Sequence, residues 1–478
     1  MKVAHTVAQV RAAETTLLET LLAGALMQRA ATGLAVACAR RLGGVYGSRV
    51  VLLVGGGNNG ADALWAGSRL AARGAAVTAV LAGDPVPDAL AGLLTAGGRV
   101  GNAGVLDTAD LVVDGLVGIG GRGPLRPAAA ALAVEGEHVV AVDVPSGVDA
   151  DTGAVPGVAV RAGLTVTFGT GKPGLYVGAG KEHAGTVEVV DIGLSPYLAE
   201  PAVRLLEPMD VLLTLPRPGS VSDKYSRGVL GVAAGSAQYG GAAVLAVGAG
   251  IRAGAGMVRY AGVAAAADLV RARWPEVLVT TIAPGDGAAA VGVGRVQAWV
   301  VGPGLGTDEE AAAVVAAILA TDLPVLVDAD ALTVCAAHPD WLRRRAAPTL
   351  LTPHDREFAR FGREVSDNRI GAAQALAQEL GVTVLLKGDA TVVTDGSDTF
   401  VNDTGSPVLA TAGSGDVLSG GTGALLAQGL PPLLAGAVGA HLHGLAGSRS
   451  AAGATTSADL LLTAWPDAVR SLTGRLRG

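Results

Sequence analysis

Short runs of apolar, mostly β-branched residues recur along the chain, and helical stretches separate them. In the first part of the chain these runs occupy residues 50–54, 76–81, 111–114, 138–143 and 164–168. Strands that are buried on both faces of a parallel sheet have such continuous apolar sequences, and the intervening helices provide the crossovers. The pattern therefore predicts an α/β domain of the doubly wound, Rossmann-like, three-layer type. A helix is expected from about residue 62 to 73, and one or two helices within residues 8–42.

A second series of the same kind follows a proline-containing segment at residues 200–222. Its apolar runs are residues 229–233, 298–301, 325–328, 349–351, 382–386 and 390–394, and its predicted helices are residues 307–320, 366–380 and 415–428. Prolines and small polar residues in the intervening segment are typical of a linker. We therefore expect two α/β domains, residues 1–204 and residues 205–478. The two series share no residue-level repeat, so duplication is not supported.

Composition and charge exclude several classes of function. The 478 residues carry a formal net charge of −7 without a long basic stripe, so a nucleic acid is not expected as a partner. Cys38 and Cys335 are too few for a disulfide framework or a zinc site, and they fit a reducing cytoplasm. The first residues lack the apolar core of a secretory signal. The longest uncharged stretch, residues 228–251, contains seven glycines, so we do not expect it to span a membrane. Together these features lead us to expect a cytoplasmic enzyme.

Polar residues follow four predicted strands of the first domain. Gly-Gly-Gly-Asn-Asn-Gly-Ala-Asp at residues 55–62 follows the first strand, Asp114 and Asp143 end two others, and Gly-Thr-Gly-Lys-Pro-Gly follows the strand at 164–168. Open α/β sheets bind ligands at the carboxyl ends of their strands, so these groups are expected to converge. Each alone is also explained as a turn residue or a helix cap, whereas four together favour a site. The loop differs from the dinucleotide fingerprint and the next strand lacks a terminal acidic residue, so ordinary dehydrogenase chemistry is not supported.

These segments, with Asp114-Gly-Leu-Val-Gly-Ile-Gly and Val-Asp143-Val-Pro-Ser-Gly-Val-Asp, resemble the NAD(P)H-hydrate epimerase family over about residues 5–203. The resemblance implies interconversion of the R and S forms of the hydrated nicotinamide ring, with Asp143 as the catalytic carboxylate. It implies potassium bound by oxygen atoms of Asn59, Asp114 and Ser146. The family usually has glycine where this chain has Ala61, and the added methyl group is expected to crowd the substrate loop. The implied substrate contacts are Asn58, Asn59, Gly60, Ala61, Asp62, Gly118, Ile119, Gly120, Gly121, Arg122, Gly123, Pro124 and Asp143.

A second glycine-rich cluster, Thr411-Ala-Gly-Ser-Gly-Asp416, precedes a predicted helix. Its glycines allow backbone N–H groups to point together, and the helix dipole adds to the attraction for a phosphate group. Asp416 then lies where a base takes a proton from a substrate hydroxyl, although it is also explained as the cap of an ordinary helix. Other strand ends supply Lys387-Gly-Asp-Ala-Thr391 and Thr352-Pro-His354, and the sequence contains no Walker A signature.

This cluster is similar to the anion hole of the ribokinase-like fold, and the chain most resembles the ADP-dependent NAD(P)H-hydrate dehydratase family over about residues 205–475. Matching segments include Val-Asp328-Ala-Asp-Ala-Leu and Leu-Thr-Pro-His354-Asp-Arg-Glu-Phe, and the departures at Asp355 and Ser406 are expected to have little effect. The resemblance implies a ribokinase-like three-layer α/β domain with Asp416 as catalytic base. It would dehydrate the S hydrate while ADP becomes AMP and phosphate, with Mg²⁺ on the phosphates. The implied hydrate contacts are Ala242, Gly304, His354 and Asp416. The implied nucleotide contacts are Lys387, Gly388, Asp389, Ala390, Thr391, Ser406, Pro407, Val408, Leu409, Ala410, Thr411, Ala412, Gly413, Ser414 and Gly415.

Two functions are compatible with the sequence. The first is a bifunctional metabolite-repair enzyme for hydrated NADH and NADPH that uses ADP, or alternatively ATP, with K⁺ and Mg²⁺, and that assembles as a homo-oligomer. The second is a ribokinase-like small-molecule kinase whose N-terminal domain acts only as a binding module, because the anion hole and Asp416 serve a kinase equally well. A lone histidine after a strand is frequently structural, but His354 follows Thr-Pro and is expected in the cleft. His441 and His443 are expected to be core or interface residues.

Overall fold

The computed structural model describes residues 1–216, 219 and 223–474. The chain folds into two compact units. The first unit is Lys2–Val203, and the second unit begins at Arg204 and also includes Met1. Of the predicted linker, residues 203–205 form a strand and residues 208–214 a helix, while residues 217, 218 and 220–222 lie outside the described residues. Each unit is built on its own sheet.

A fully parallel sheet with flanking helices forms the first unit. The strand order is β4-β3-β2-β5-β6-β7-β8, with every neighbouring pair parallel. The elements in chain order are β1 (Lys2–Ala4), α1 (Val7–Leu18), α2 (Ala25–Leu42), β2 (Arg49–Val54), α3 (Asn58–Ala71), β3 (Ala76–Leu81), α4 (Pro87–Thr95), β4 (Arg99–Gly101), β5 (Leu111–Gly115), α5 (Pro127–Ala130), β6 (Glu135–Val142), β7 (Arg161–Phe168), α6 (Gly178–Ala184) and β8 (Thr186–Val190).

This strand order has a topological switch point between β2 and β5. The chain adds β3 and β4 on one side of β2, and β5 to β8 on the other side. Ligands of open α/β sheets bind in the crevice outside the carboxyl ends of the strands at such a point. Gly55 directly follows β2, and Asp114 is the second-to-last residue of β5. Two of the predicted polar segments therefore lie at the switch point. The predicted doubly wound fold is confirmed.

The helix after β2 begins earlier than the sequence pattern predicts. The prediction starts the helix at about residue 62, but α3 starts at Asn58, with Gly57 in extended conformation before it. Gly60 lies in the first turn, where a Cβ atom would be 2.1 Å from the carbonyl oxygen of Gly55. Glycine at this position therefore lets the helix approach the end of β2. The segment interpreted as a loop is the beginning of a helix.

The second unit has a mixed, mostly parallel sheet. The strands from β12 to β16 in spatial order pair in parallel, β16, β17 and β18 form an antiparallel meander, and β9 pairs in parallel with β18. The strand order is β9-β18-β17-β16-β15-β14-β13-β10-β11-β12. The elements in chain order are β9 (Val203–Leu205), α7 (Pro208–Thr214), β10 (Val229–Ala233), α8 (Gly240–Arg252), β11 (Met257–Gly262), α9 (Ala264–Arg273), β12 (Leu278–Thr281), β13 (Ala298–Val301), α10 (Glu309–Leu319), β14 (Val325–Val327), α11 (Asp330–Ala337), α12 (Asp340–Arg343), β15 (Thr349–Leu351), α13 (Asp355–Ala359), α14 (Arg369–Leu380), β16 (Thr383–Leu386), β17 (Thr391–Thr394), β18 (Thr399–Asn402), α15 (Ser414–Ala427), α16 (Pro432–Ala451) and α17 (Ala458–Gly474).

A glycine-rich helix, α15, lies at the centre of this unit and packs closely on α8. A Cβ atom on Gly420 would lie 2.0 Å from the carbonyl oxygen of Ala246 in α8, and one on Gly423 would lie 2.2 Å from the side chain of Val300 in β13. The uncharged stretch of residues 228–251 is divided between β10 and α8. Within the described residues, no helix has the length and apolar character needed to cross a membrane.

We expect Gly420→Ala to lower the free energy of unfolding of the second unit by about 1–3 kcal/mol, because a methyl group there meets a backbone carbonyl that cannot rotate away. Gly241→Ala is the matched control in a neighbouring helix, since a Cβ atom on Gly241 has no atom within 4 Å. That change should be neutral or stabilise by about 0.4–1 kcal/mol. Denaturant unfolding with comparison of midpoints at constant slope measures both variants. Equal stability of the two variants would contradict the close packing of α15 on α8.

Candidate active sites

Asp143 has a strained backbone conformation at the end of β6. The sequence pattern predicts the strand through Asp143, but the strand ends at Val142 and Asp143 has φ +66°. A non-glycine residue in this left-handed region costs free energy and is held there by its surroundings. Asp143 Oδ1 accepts hydrogen bonds from Thr167 Oγ1 at 2.9 Å and from the Phe168 N–H at 3.2 Å. The strained turn thus fixes the carboxyl group at the ends of β6 and β7.

A buried lysine completes this arrangement. Lys172 is 1% exposed, and its Nζ lies 2.5 Å from Asp143 Oδ1. It also donates to Thr167 Oγ1 at 2.9 Å and to the Phe168 carbonyl at 3.0 Å. Removing two charges from water is costly, so a buried ion pair is poorly explained as a device for stability. Lys172 belongs to the motif after β7. Its role could not be predicted from the sequence, because its partner Asp143 lies in a different segment of the chain.

The negative charge of Asp143 affects two further carboxyl groups, those of Asp62 and Glu14. Asp62 in α3 is 6% exposed, and its Oδ1 has no hydrogen-bond partner among the described residues. Burial raises the pKa of Asp62 well above its usual value, and the negative charges of Asp143 and of Glu14 in α1 add to the shift. Burial, followed by Asp143, also raises the pKa of Glu14. A buried carboxyl oxygen without a protein partner is a group that a bound ligand can satisfy, which supports the predicted substrate contact at Asp62.

Two of the three residues predicted to bind potassium, Asp114 and Ser146, are hydrogen-bonded to one another, and the third, Asn59, contacts neighbouring backbone. Asp114 Oδ1 accepts from Ser146 Oγ at 2.7 Å, and Oδ2 accepts from the Ser146 N–H at 2.8 Å. Asn59 donates through Nδ2 to the Val142 carbonyl at 2.5 Å, and its amide lies against Gly118. Burial raises the pKa of Asp114 to about 6, although the hydrogen bonds from Ser146 oppose the shift. Carboxylate, hydroxyl and amide oxygen atoms are the kind of ligand that a hard monovalent cation takes.

The predicted second loop, residues 118–124, begins directly over the first turn of α3. A Cβ atom on Gly118 would lie 2.0 Å from Asn59 Oδ1, and one on Gly120 would lie 3.4 Å from Arg11 Nη2 in α1. Gly121 closes a turn by donating its N–H to the Gly118 carbonyl at 2.8 Å. Ile119 is partly buried against the core of the unit, and the remaining loop residues Arg122, Gly123 and Pro124 are exposed. The structure therefore brings the start of this loop to Asn59, and leaves its end at the surface.

Ala61 lies in the apolar core, and not in an exposed substrate loop as the sequence analysis expected. The residue is 2% exposed and belongs to the apolar core beneath α3. Its backbone N–H donates to the Gly57 carbonyl at 3.1 Å, as in a regular helix. The expected crowding of the substrate loop is therefore not observed, because Asn58–Asp62 is helical and the Ala61 methyl group packs inward.

The second unit contains a cavity of about 470 Å³ beside the ends of β15 and β16. Of the predicted nucleotide contacts, the residues in its wall are Lys387, Gly388, Asp389, Thr391, Ser406, Pro407, Leu409, Ala410, Thr411, Ser414 and Gly415. The predicted Ala390, Val408, Ala412 and Gly413 do not line it. The sequence did not indicate Asn402, Gly405, Leu418, Ala440 and His443, which complete the wall together with His354. These residues come from elements that are distant in sequence, and most are apolar or small.

The first turn of α15 forms one end of this cavity. Gly413 precedes the helix with φ +82°, and the Thr411 carbonyl accepts from the Ser414 N–H at 3.2 Å. The next N–H groups of a helix have no partner within it and carry the positive end of its dipole. A Cβ atom on Gly415 would lie 3.6 Å from Lys387 Nζ, so the ammonium group lies beside this turn. The arrangement fits the predicted anion hole.

Asp416 is the third residue of α15 and is half-buried. Burial raises the pKa of Asp416 to about 7, the charge of Asp328 adds to the shift, and Lys387 opposes it. A carboxyl group that titrates near neutral pH is well matched to proton transfer. A helix-capping role alone does not require this shift.

The other predicted hydrate contacts divide into two groups. His354 lines the cavity, and its Nδ1 accepts from the N–H groups of Arg356 at 3.1 Å and Glu357 at 3.2 Å. His354 therefore caps α13, which is a structural role, and it also lies in the cleft as predicted. Ala242 and Gly304 do not line this cavity. They lie close to one another, since a Cβ atom on Gly304 would be 2.9 Å from Ala242 Cβ.

His441 and His443 of α16 are both buried, as expected for core residues. His443 also reaches the cavity, where its Nε2 lies 3.0 Å from the Ser414 carbonyl and 3.2 Å from Ser414 Oγ. Burial lowers the pKa of His443 to about 4, so the imidazole is neutral at pH 7. A ring nitrogen that meets a carbonyl must donate. Nε2 therefore carries the proton and holds the first turn of α15.

Comparison with known proteins gives a consistent picture. The family model described as NAD(P)H-hydrate dehydratase matches residues 230–466, and the model described as YjeF-related protein N-terminus matches residues 23–174. The bifunctional NAD(P)H-hydrate repair enzyme Nnr of Mycobacterium tuberculosis is 53% identical over 405 residues, which are 81% of each chain. The enzyme of the same name from Corynebacterium glutamicum is 37% identical over 431 residues, 72% of this chain and 71% of that relative.

Solved structures resemble the second unit. A crystal structure of an ADP/ATP-dependent NAD(P)H-hydrate dehydratase from Bacillus subtilis, co-crystallised with ATP and Mg²⁺, is 28% identical with a TM-score of 0.51. It covers 56% of this chain and 99% of its own. A ribokinase-like superfamily protein from Enterococcus faecalis is 26% identical with a TM-score of 0.53, over 57% of this chain and 98% of its own. The predicted ribokinase-like fold is confirmed, and the chain belongs to the family of bifunctional NAD(P)H-hydrate repair enzymes.

Proposed function

We propose that this chain repairs hydrated NADH and NADPH at two sites, an epimerase in residues 1–204 and a nucleotide-dependent dehydratase in residues 205–478. The observation that carries the proposal is a carboxyl group held in a partly or fully buried position in each unit. Asp143 is held by Lys172 at 2.5 Å, and Asp416 lies in the first turn of α15, whose first two residues line the cavity. The relative that is 53% identical is named a bifunctional repair enzyme, in agreement with two sites on one chain.

In the dehydratase, Asp416 takes the proton of the C6 hydroxyl group while that oxygen attacks the terminal phosphorus of the nucleotide. With ADP as donor, AMP leaves and the hydrate carries a phosphate ester at C6. The phosphate then departs with the electron pair of the C–O bond, and loss of a proton from C5 restores the ring double bond. The N–H groups of the first turn of α15 and the Lys387 ammonium stabilise the charge on the transferred group. These residues supply positioning and electrostatics.

We propose ADP as the natural donor, with ATP as an alternative. The similar dehydratase from Bacillus subtilis was crystallised with ATP and Mg²⁺. Within the described residues, no group of three or more His, Cys, Asp or Glu side chains is arranged to hold a metal ion. Mg²⁺ commonly binds through nucleotide phosphates and water with few protein ligands. Mg²⁺ bound to the phosphates therefore fits this cavity, where it would neutralise their charge.

In the epimerase, Asp143 acts as the acid/base group near C6 of the hydrate, and Lys172 holds its carboxylate in place. The unpartnered Oδ1 of Asp62 is the group that we assign to the substrate. K⁺ held by Asp114, Ser146 and Asn59 would neutralise the buried Asp114 carboxylate and order the turn after β6. The two free cysteines are buried, in keeping with a cytoplasmic protein, and the helices rich in Ala and Gly suit a homo-oligomer.

Replacing Asp416 with Asn should abolish dehydration and leave nucleotide binding intact. We expect the repair rate of the S hydrate with ADP and Mg²⁺, measured from the absorbance at 340 nm, to fall by about 100-fold or more. The Kd for ADP should stay within about threefold, because the N–H groups and Lys387 remain. Conversion of the R hydrate by the first unit is the internal control. A D416N enzyme that repairs the S hydrate at the wild-type rate would remove Asp416 from the mechanism.

The Asp143→Asn variant should repair the S hydrate normally and the R hydrate only at the rate of spontaneous epimerisation. The amide cannot take the proton, and it also leaves the Lys172 ammonium buried without its carboxylate, so thermal unfolding must be compared in parallel. The assay starts from pure R hydrate with ADP, so recovery of absorbance at 340 nm requires epimerisation first. Repair of R faster than the spontaneous rate would show that Asp143 is not the catalytic group.

Removal of K⁺ should affect the first unit and depend on pH. Asp114 must lose its proton to bind a cation, so K⁺ should raise the melting temperature at pH 7.5 more than at pH 5.5, on either side of its pKa of about 6. Replacement of K⁺ by choline should slow epimerisation, and Asp114→Asn should abolish the response to K⁺ in both assays. Melting curves in choline and in K⁺ that coincide at both pH values would contradict the potassium site.

A further inference from the structure

Asp328 has no role in the chemistry above, yet it joins three elements around the second site. It follows β14 and is 1% exposed. Its Oδ1 accepts from Lys387 Nζ at 2.8 Å, and its Oδ2 accepts from Ser419 Oγ at 2.6 Å. Lys387 follows β16, and β15 lies between β16 and β14 in the sheet. Ser419 lies in α15, one turn after Asp416. Both carboxylate oxygens are therefore used to connect elements of the site.

The position of the Lys387 ammonium depends on this contact. Its other carboxylate partner, Glu357, is more distant at 3.4 Å. The ammonium lies beside Gly415 and in the wall of the cavity. Burial by itself lowers the pKa of Lys387, but Asp328 and Glu357 outweigh burial and the pKa is raised. The group therefore stays charged where a nucleotide phosphate is expected.

Asp328 also acts on Asp416 through its charge. The charged groups facing Asp416 from the neighbouring elements are Asp328 after β14, Lys387 after β16, Asp330 in α11 and Glu357 in α13. Among these groups, Asp328 makes the largest contribution. His443 of α16 is neutral at pH 7 and adds no charge. A change at Asp328 should therefore reach Asp416 even though no hydrogen bond joins them.

We propose that Asp328 is a positioning residue of the dehydratase, which holds the Lys387 ammonium at the start of α15. The inference rests on the function proposed for the second unit. Asp328 need not touch the substrate, since its two partners are the phosphate-facing lysine and the helix that carries the base.

The pH dependence of kcat separates this role from a merely structural one. Asp416 works as a base, so wild-type kcat should rise with pH through its pKa of about 7. Asp328→Asn removes a negative charge, stabilises the ionised form of Asp416, and should move this rise to lower pH by about half a unit or more. The same variant should weaken ADP binding, measured by calorimetry with Mg²⁺, by about tenfold, because the Lys387 ammonium is no longer held at the start of α15.

Two variants keep the charge and change the geometry. Asp328→Glu should leave the pH profile in place and still weaken ADP binding, because the longer side chain displaces the lysine. Ser419→Ala should keep the pH profile and bind ADP within about threefold of wild type, because the contact between Asp328 and Lys387 remains. Wild-type pH profile and ADP affinity in D328N would overturn the proposal. If D328N does not fold, wild-type ADP affinity in D328E overturns it. A wild-type enzyme that fails to repair the S hydrate contradicts the proposed function instead.

Discussion

The close approach of α15 to its neighbours determines the geometry of the second site. Gly420 lies against a carbonyl of α8 and Gly423 against Val300 of the sheet, so side chains at either position would push the helix away. The N–H groups of its first turn, the Asp416 carboxyl group and the Ser419 hydroxyl all move with the helix axis, because they belong to consecutive turns of one rigid element. The cavity, the anion hole and the base therefore depend on the same packing contact. Larger side chains at these two positions would move α15 away from the strand ends. The polar groups at those strand ends would then lose their contacts with the first turns of α15.

Buried charge is common to both sites and is poorly explained by stability. Lys172 with Asp143 and Lys387 with Asp328 are ion pairs with at least one fully buried partner. Such pairs usually contribute little net free energy of folding, because desolvation offsets the attraction. They do hold a charged group in a defined position without water, and preorganised charge is what proton transfer and phosphoryl transfer require. The strained φ of Asp143 has the same explanation, since its hydrogen bonds keep it in a conformation that the backbone disfavours.

The sequence predicted the parts of the fold in which hydrophobic pattern and burial coincide. β2, β5 and β10 are continuous apolar runs because parallel strands are covered on both faces, and the structure has strands there. Edge strands such as β4 and β12 were missed, because they are short and partly exposed and their sequences resemble loops. Site residues at strand ends were predictable because fold topology converges there. The roles of Lys172 and Asp328 were not predictable, since each depends on a partner that only the three-dimensional register identifies.

Both sites contain more carboxyl groups than ammonium groups, and this excess has a chemical consequence at the second site. In the first site Asp143 pairs with Lys172 and has Asp62 and Glu14 as carboxyl neighbours. Around Asp416, three carboxylates face a single ammonium group, so its surroundings carry an excess of negative charge before any ligand binds. The phosphates of a nucleotide would add further negative charge and would hold the proton on Asp416 more firmly. A cation bound to the nucleotide phosphates would compensate this charge and would favour the ionised form of Asp416, which is the form that acts as the base.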